Sequence, residues 1–180
     1  MKKTAVLIYP HFSEYELTTA LSILMQGTKP VSIISIDKEP VKGEAGLTLM
    51  ADQTIDQVNY EEFDSLLLTG CMDIYTILDN TKYTDFIKKV ADQENFIVAS
   101  ISSSPALLAK AGLLKNKKYT VGLLEEARIN SGIFEAANYV NELLVKDGNI
   151  ITAWGSAFID FGILFGKSLD LQFEEGWYGK

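Results

Sequence analysis

Apolar and polar positions along this chain follow two alternating patterns. Continuous apolar or β-branched runs occupy residues 4–9, 31–36, 66–68 and 96–101, and such runs predict buried strands. Between them, apolar residues recur at the spacing of one helix face, first at Leu17, Ala20, Leu21 and Leu24 and later at Tyr83, Phe86, Ile87 and Val90. Because strand and helix alternate from the first residue, we expect an α/β fold with a mostly parallel sheet and helices on both faces.

Other segments predict antiparallel hairpins and further helices. Residues 40–55, in which two glycines stand beside alternating leucines, predict a small β-hairpin excursion. Residues 139–145 and 150–153 flank Asp147-Gly148, a dipeptide typical of two-residue hairpin turns. A strand over 119–123, a short helix over 105–111 and an apolar helix over roughly 156–166 complete the predicted elements.

Length and charge limit the domain organisation and the partners. A chain of 180 residues, 47% of them apolar, is enough for one core and too short for two ordinary domains, so we predict one domain over 1–180. The formal net charge is −8 and the basic residues form no dense stripe, which argues against nucleic acid as a partner. No apolar run approaches the ~18 residues of a membrane span, so we expect no membrane partner.

The chain has a single cysteine, Cys71, which excludes an intrachain disulfide and fits a reducing, cytoplasmic location. The apolar run after Lys2 and Lys3 is too short for a signal peptide, and Pro10 and His11 end it. One histidine and one cysteine do not make an ordinary zinc site, and the acidic residues lack the spacing of a metal-binding loop. We therefore predict neither a metal nor another cofactor.

Three loops directly follow buried strands, at residues 10–16, 69–73 and 102–105. In parallel sheets, ligands bind beyond the carboxyl ends of the strands. We therefore expect these three loops to lie side by side and to form the functional site.

The third loop contains the run Ile101-Ser102-Ser103-Ser104-Pro105. Proline suits the first position of a helix, with Ser104 or Ser103 as the cap. Such a tight turn projects one side chain above the sheet and leaves amides at a helix N-terminus for an anion or oxyanion. The alternative is that all three serines are cap and turn residues only. The hydrolase pattern G-x-S-x-G is absent, because serines occupy both glycine positions.

Three more residues in these loops have both a functional and a structural interpretation. Ser13 and Glu16 match a capping box, although Glu16 also starts a helix where its carboxyl can reach the Ser102 turn. Cys71 is either a small buried apolar residue or a partly exposed, oxidisable thiol. His11 is either a base or a surface histidine.

Residues 96–114, FIVASISSSPALLAKAGLL, resemble the nucleophile elbow of the DJ-1/ThiJ/PfpI superfamily, whose pattern is approximately A-I-C-x-G-P-x-x-L-A-x-A-G-L-L. Residues 6–16 resemble its first strand and glutamate-bearing loop, and residues 66–71 resemble the strand before its Pro-Gly-Gly turn. Residues 146–155 resemble its late hairpin and the glycine before the final helix. The likeness spans nearly the whole chain in the expected order.

The resemblance implies a flavodoxin-like or Rossmann-like three-layer sandwich of the class I glutamine amidotransferase type, commonly a homodimer. It places the family's cysteine nucleophile at Ser102 and its glutamate at Glu16. The oxyanion-hole amides fall on Cys71 and Ser103, and Gly70 and His11 are further candidates for ligand binding. Related members act as amidases or peptidases, isonitrile hydratases, glyoxalase-like or deglycase-like enzymes, chaperones and domains of regulators.

Departures from the family pattern leave the function open between three hypotheses. Serine replaces the thiolate-forming cysteine, and the positions that carry a histidine in other members are Ser103 and Gly122. The first hypothesis is a protein of altered or lost thiol chemistry that binds a small molecule in the Glu16/Ser102 cleft, and the second is a serine-type hydrolase or amidase, or a protease-like enzyme, using Ser102. The third hypothesis is a non-enzymatic stress-response or interaction protein. Whether it is an enzyme stays open at this point.

Overall fold

The computed structural model describes all 180 residues and contains a seven-stranded sheet with helices on both faces. The strands are β1 (Lys3–Leu7), β2 (Val31–Ser35), β3 (Val41–Lys42), β4 (Thr48–Leu49), β5 (Gln53–Thr54), β6 (Phe63–Leu68), β7 (Ile97–Ile101), β8 (Leu144–Asp147) and β9 (Ile150–Ala153). The helices are α1 (Glu14–Gln26), α2 (Tyr75–Leu78), α3 (Thr81–Ala91), α4 (Pro105–Lys110), α5 (Glu125–Asn130) and α6 (Phe158–Ser168). None of these helices combines the length and the hydrophobicity that crossing a bilayer requires.

The main sheet has the strand order β5-β2-β1-β6-β7-β9-β8. All neighbouring strands in it are parallel except the β8–β9 pair. Successive side chains of β1 point to opposite faces, so that Ala5 and Leu7 join one core and Val6 joins the other. The first core packs against α2, α3 and α4, and the second packs against α1 and α6. This confirms the predicted flavodoxin-like α/β architecture of three layers.

The topology places the candidate loops together. From β1 the chain runs outward to β2 and then returns to β6 on the other side of β1, so the order of strands reverses between β1 and β6. The pairing sets Leu7 opposite Leu68, and Leu68 opposite Ser100. The three strands thus end at nearly the same level. As predicted, the loops that follow them adjoin at the point where ligands bind in open parallel sheets.

Both predicted hairpins are confirmed, with one change of register. Strands β3 and β4 form a separate antiparallel pair. In the second hairpin Asp147 pairs with Ile150, so the two turn residues are Gly148 and Asn149 and not Asp147-Gly148. Gly148 has a φ of 61°, a conformation that glycine adopts without strain. The strand before this turn begins at Leu144, later than the pattern predicts.

The predicted strand over 119–123 is wrong. Its backbone groups bond to loops and side chains, which leaves only an isolated bridge between Tyr119 and Tyr139. The amide of Thr120 donates to Thr152 Oγ1 at 2.9 Å, and the amide of Gly122 donates to the carbonyl of Ser102 at 2.7 Å. The segment is apolar because it is buried beside the sheet, and apolar runs of this length do not distinguish a strand from other buried chain.

Candidate functional site

The Ser102 turn connects β7 to α4 in three residues. Ser102 has a φ of 63°, in the left-handed region that costs a residue with a side chain on the order of 1–3 kcal/mol. Its amide donates to the carbonyl of Ala153 at 2.8 Å, and its carbonyl accepts from Gly122. These bonds from two other segments hold the strained conformation and leave the Ser102 side chain half-buried at the end of the sheet.

Ser104 occupies the N-cap position of α4, as the sequence predicts, although not as a side-chain cap. Pro105 does take the first helical position, but the Ser104 side chain makes no capping bond. Ser104 Oγ is fully buried and lies 2.7 Å from Ser100 Oγ, 2.8 Å from the carbonyl of Ile101 and 3.1 Å from that of Leu68. The backbone of Ser104 is already helical, and its hydroxyl points into the sheet. There the hydroxyl connects β7 to β6 beneath the turn.

Glu16 lies in the first turn of α1, and its carboxyl points at the second loop. Its side chain is buried, with Oε2 accepting from the amide of Gly70 at 2.7 Å and Oε1 accepting from the Tyr15 hydroxyl at 3.2 Å. The predicted capping box is wrong, since Ser13 makes no side-chain cap and its buried hydroxyl has no partner. The Gly70 amide draws the carboxyl away from the helix end.

Two glycines let the Glu16 carboxyl and the Ser102 hydroxyl come close together. A Cβ at Gly70 would lie 2.6 Å from Ser102 Oγ and 3.2 Å from Glu16 Oε2. A Cβ at Gly155 would lie 2.9 Å from Glu16 Oε1 and 3.3 Å from Ser102 Oγ. The two side chains are therefore neighbours in this crowded site, and the Ser102 hydroxyl is one of the hydrogen-bonding groups that act on the Glu16 carboxyl, besides Gly70 and Tyr15.

Burial raises the pKa of Glu16 from its ordinary value of 4.5 to about 7. The amide of Gly70 and the hydroxyls of Tyr15 and Ser102 oppose this rise, and the negative charge of Glu44 on the β3–β4 loop adds to it. At neutral pH the carboxyl therefore exists in both protonation states. In its protonated state it donates a hydrogen bond, and in its ionised state it accepts one.

The two amides that the resemblance assigns to an oxyanion hole differ in their surroundings. The amide of Cys71 donates to Ser103 Oγ at 3.1 Å, so a side chain of the site already occupies this donor. The Ser103 hydroxyl in turn lies 3.3 Å from the carbonyl of Cys71. The backbone amide of Ser103 has no acceptor within the chain. One of the two amides is thus free to receive a ligand oxygen, and the other is engaged.

The Cys71 side chain is neither fully buried nor chemically activated. It is partly exposed in the second loop, opposite Phe12 in an isolated bridge. Burial raises the pKa of its thiol from 9.0 to about 11, against hydrogen bonds from Ser103 and Asp73 that lower it. At neutral pH the thiol is therefore protonated, which makes it a weak nucleophile.

His11 is not brought to the Ser102 turn. It is exposed, has a φ of 60° and lines a cavity of about 300 Å³ together with Asp37 and Tyr83. Neither Ser102 nor Glu16 lines that cavity. No three His, Cys, Asp or Glu side chains of the protein cluster closely enough to hold a metal ion.

Nothing in the sequence pattern indicates another cavity, of about 360 Å³, which the structure contains. Its lining includes Arg128 and Trp154. The run Glu125-Glu126-Ala127-Arg128 has the polarity of a solvated helix, yet Arg128 is buried. No local spacing marks that burial, because distant segments produce it.

Comparison with known proteins gives the family of this fold. The model of the DJ-1/PfpI family matches residues 2–166. The chain belongs to the DJ-1/PfpI family. Among its relatives in this family, Deglycase PfpI of Pyrococcus furiosus is 31% identical over 144 residues, covering 79% of this chain and 83% of the relative. An uncharacterized protein of Methanocaldococcus jannaschii is 31% identical over 166 residues, covering 91% of this chain and 78% of the relative.

Solved structures agree with this assignment. The crystal structure of a DJ-1 superfamily protein from Agrobacterium tumefaciens superposes on this DJ-1/PfpI chain with a TM-score of 0.83, at 22% identity. The alignment covers 99% of this chain and 95% of that one. At this identity the likeness establishes the shared fold.

Proposed function

We propose that this DJ-1/PfpI protein binds a small molecule in the Glu16/Ser102 cleft and has altered or lost the thiol chemistry of its relatives. The observation that carries the proposal is the position of Ser102. Its hydroxyl stands on a left-handed turn beside a buried carboxyl, where the family resemblance places a cysteine nucleophile. A serine hydroxyl does not ionise as a thiol does, and it needs a base to become a nucleophile.

The groups around Ser102 suit binding better than nucleophilic attack. His11, the one histidine of the chain, lines a different cavity, so no imidazole takes the proton of Ser102. The Glu16 carboxyl is a weak base for an alcohol even with its raised pKa. The free amide of Ser103 and the protonated Glu16 are hydrogen-bond donors that favour a ligand with a carbonyl or other acceptor oxygen.

The ligand class is proposed from a relative. The Pyrococcus furiosus relative is named a deglycase, so we propose that the cleft accepts a small carbonyl compound or its adduct with an amine. A useful test substrate is the adduct of methylglyoxal with a free amino acid.

The Ser102→Cys substitution tests whether only the thiol is missing. Because Cys71 is the sole cysteine, Cys71→Ser provides a background without any other thiol. We expect Cys71→Ser alone to leave the adduct intact, and Cys71→Ser with Ser102→Cys to consume it at least about tenfold faster. If the natural protein already consumes the adduct and Ser102→Ala does not, the proposal of lost chemistry is wrong.

The serine-hydrolase alternative predicts a different result with a fluorophosphonate probe. An activated Ser102 becomes labelled, and Ser102→Ala abolishes the label, in conditions where a control serine hydrolase reacts. We expect no label, because the one base beside Ser102 is the Glu16 carboxylate, which is too weak to deprotonate an alcohol efficiently.

The remaining predictions concern organisation and partners. A single domain, a homodimer and a cytoplasmic location without nucleic-acid or membrane partners stay predictions. Sedimentation of the purified protein measures the oligomeric state. The non-enzymatic alternative predicts a partner whose binding does not change when Glu16 and Ser102 are substituted together.

A further inference from the structure

Two residues that line the cavity of about 360 Å³ are chain neighbours of glycines packed against Ser102. Leu123 lines it and follows Gly122, whose Cβ would lie 3.1 Å from Ser102 Cα. Trp154 also lines it and precedes Gly155, whose Cβ would lie 3.3 Å from Ser102 Oγ. A ligand in this cavity therefore lies next to the Ser102 turn.

Arg128 is the most unusual group in the cavity, and it is the only arginine of the chain. Its side chain is 8% exposed, and the guanidinium lies beside the Tyr119 hydroxyl without reaching good hydrogen-bond geometry. The nearest carboxylate is that of Glu125, 3.9 Å away on a side chain that is 80% exposed. The guanidinium has five N–H groups and no strong acceptor among these neighbours, an arrangement that is unfavourable unless solvent or a ligand in the cavity accepts from them.

The guanidinium is held in place by an aromatic cluster. Its Cζ lies 3.8 Å from the centre of the Tyr139 ring, a close cation–π contact. Tyr139 packs edge-on against Tyr119, which stacks on Phe134. The Tyr119 hydroxyl is buried, and its contact with Arg128 falls short of good hydrogen-bond geometry. Two neighbouring polar side chains thus have unused hydrogen-bonding capacity while their rings and stems are fixed by packing.

The charge and shape of the cavity select one class of ligand. The planar guanidinium presents two parallel N–H groups that match the two oxygens of a carboxylate. A single cation beside Glu125, in a chain of net charge −8, suits a monoanion better than a doubly charged phosphate. Leu124 and Trp154 provide apolar walls for the rest of the molecule.

We propose that this cavity is a carboxylate subsite, in which Arg128 binds the carboxylate of a small organic acid and the apolar walls hold its body. The subsite deepens the proposed function, on which it rests in one respect: the same ligand extends toward Ser102. The carboxylate itself is bound by Arg128 whether or not Ser102 takes part.

Titration with benzoate and its neutral analogue benzamide tests the charge requirement. Trp154 reports from within the cavity, so Trp177, which is 81% exposed, is first replaced by Phe. We expect benzoate to change the Trp154 fluorescence with a Kd of about 1 mM or tighter, and benzamide to bind at least about tenfold more weakly. Equal binding of the two compounds, or no saturable binding of benzoate, overturns the subsite.

Substitution tests whether Arg128 is the contact. Arg128→Gln is expected to weaken benzoate at least about tenfold, and Arg128→Lys to weaken it less, since Lys keeps the charge and loses the fork. The matched control, Lys110→Gln, removes one exposed cation elsewhere and should leave the Kd unchanged. Benzoate affinity that survives Arg128→Gln overturns the proposal.

A chemical measurement on the unsubstituted chain does not depend on the folding of any variant. Cyclohexanedione modifies arginine, and this chain offers one site for it. We expect benzoate, but not benzamide, to slow this modification. The same protection in Ser102→Ala separates the subsite from the Ser102 chemistry, so the subsite stands even if the Ser102→Cys experiment fails. Unchanged modification at saturating benzoate contradicts it.

Discussion

Two polar clusters lie side by side at the carboxyl edge of the sheet, and they satisfy their buried groups in opposite ways. Around the Ser102 turn, both Glu16 oxygens accept hydrogen bonds and Ser104 is surrounded by partners. Around Arg128, the guanidinium and the Tyr119 hydroxyl are buried with only poorly aligned contacts to each other and a distant carboxylate at Glu125. The first cluster satisfies Glu16 and Ser104 within the fold and leaves the Ser103 amide free. The second is complete only with a ligand, which is why we place the carboxylate subsite there.

The hydrogen bonds around the Ser102 turn also explain why few of its backbone amides are available for catalysis. Ser103 Oγ accepts from the Cys71 amide, and the Gly70 amide binds Glu16, so only the Ser103 amide remains for an incoming oxygen. A site whose donors are already used stabilises a developing oxyanion poorly. The cluster holds the turn rigidly and offers few groups for catalysis.

The largest expected effect is the pH dependence that Glu16 gives to stability. Its folded pKa of about 7 lies above 4.5, so the folded state binds more protons between these values and stability falls as pH rises through them. The unfolding free energy of the natural protein, relative to Glu16→Gln, should fall by on the order of 3 kcal/mol from about pH 4 to about pH 8. Urea titrations at several pH values measure this difference.

Glu14→Gln is the matched control, with the opposite sign. Burial alone would raise the pKa of Glu14. Hydrogen bonds from the amides of Ala45, Leu47 and Gly46 lower it by more, so the net pKa lies below 4.5. Its stabilising contribution is therefore present above its unfolded pKa and is lost as pH falls. A flat difference for Glu16→Gln across the same range would contradict the buried carboxyl described above.

Ser104→Ala removes the buried hydroxyl that bonds to Ser100 and to two backbone carbonyls beneath the Ser102 turn. The carbonyls of Ile101 and Leu68 lose a buried partner, so we expect a loss of about 2 kcal/mol in unfolding free energy. Ser156→Ala changes an exposed serine and should remain within about 0.5 kcal/mol of the natural protein. Equal effects of the two substitutions would show that the Ser104 bonds contribute nothing.

Gly70→Ala tests how tightly the Glu16 and Ser102 side chains are packed. The new Cβ would lie 2.6 Å from both Cβ and Oγ of Ser102, so we expect a loss of about 1.5 kcal/mol. In a Ser102→Gly background both obstructing atoms are absent, and most of that loss should disappear. Gly176→Ala, which meets open space, is the control. An undiminished loss in the Ser102→Gly background would point to another obstruction.

The smallest effect is expected in the unpaired cluster. Tyr119→Phe deletes a buried hydroxyl whose contact with Arg128 falls short of good hydrogen-bond geometry, so the unfolding free energy of the variant should stay within about 0.5 kcal/mol of the natural protein or rise. Tyr9→Phe is the matched comparison, because the equally buried Tyr9 hydroxyl donates to the carbonyl of Thr69. We expect it to cost about 1 kcal/mol. A larger loss for Tyr119→Phe than for Tyr9→Phe would remove the contrast between the clusters.

Much of the fold followed from pattern alone. Continuous apolar runs such as 96–101 form strands because the central strands of a parallel sheet are buried on both faces. The error at 119–123 shows the limit of this rule, since burial makes a segment apolar whatever its hydrogen bonds. The shifted turn at Gly148-Asn149 shows another, since cross-strand register depends on the partner strand as well as on the turn residues.

By itself, the sequence determined the three-layer architecture, the meeting of three loops at one edge and the position of Ser102 before Pro105. These features depend on local periodicity and on the general geometry of parallel sheets. Only the tertiary structure decided the pKa of Glu16, the engagement of the Cys71 amide and the burial of Arg128. Each of these depends on distant groups: Glu16 and Gly70, for example, are 54 positions apart. Solvent exclusion and hydrogen-bond geometry arise only when the folded chain brings such groups together.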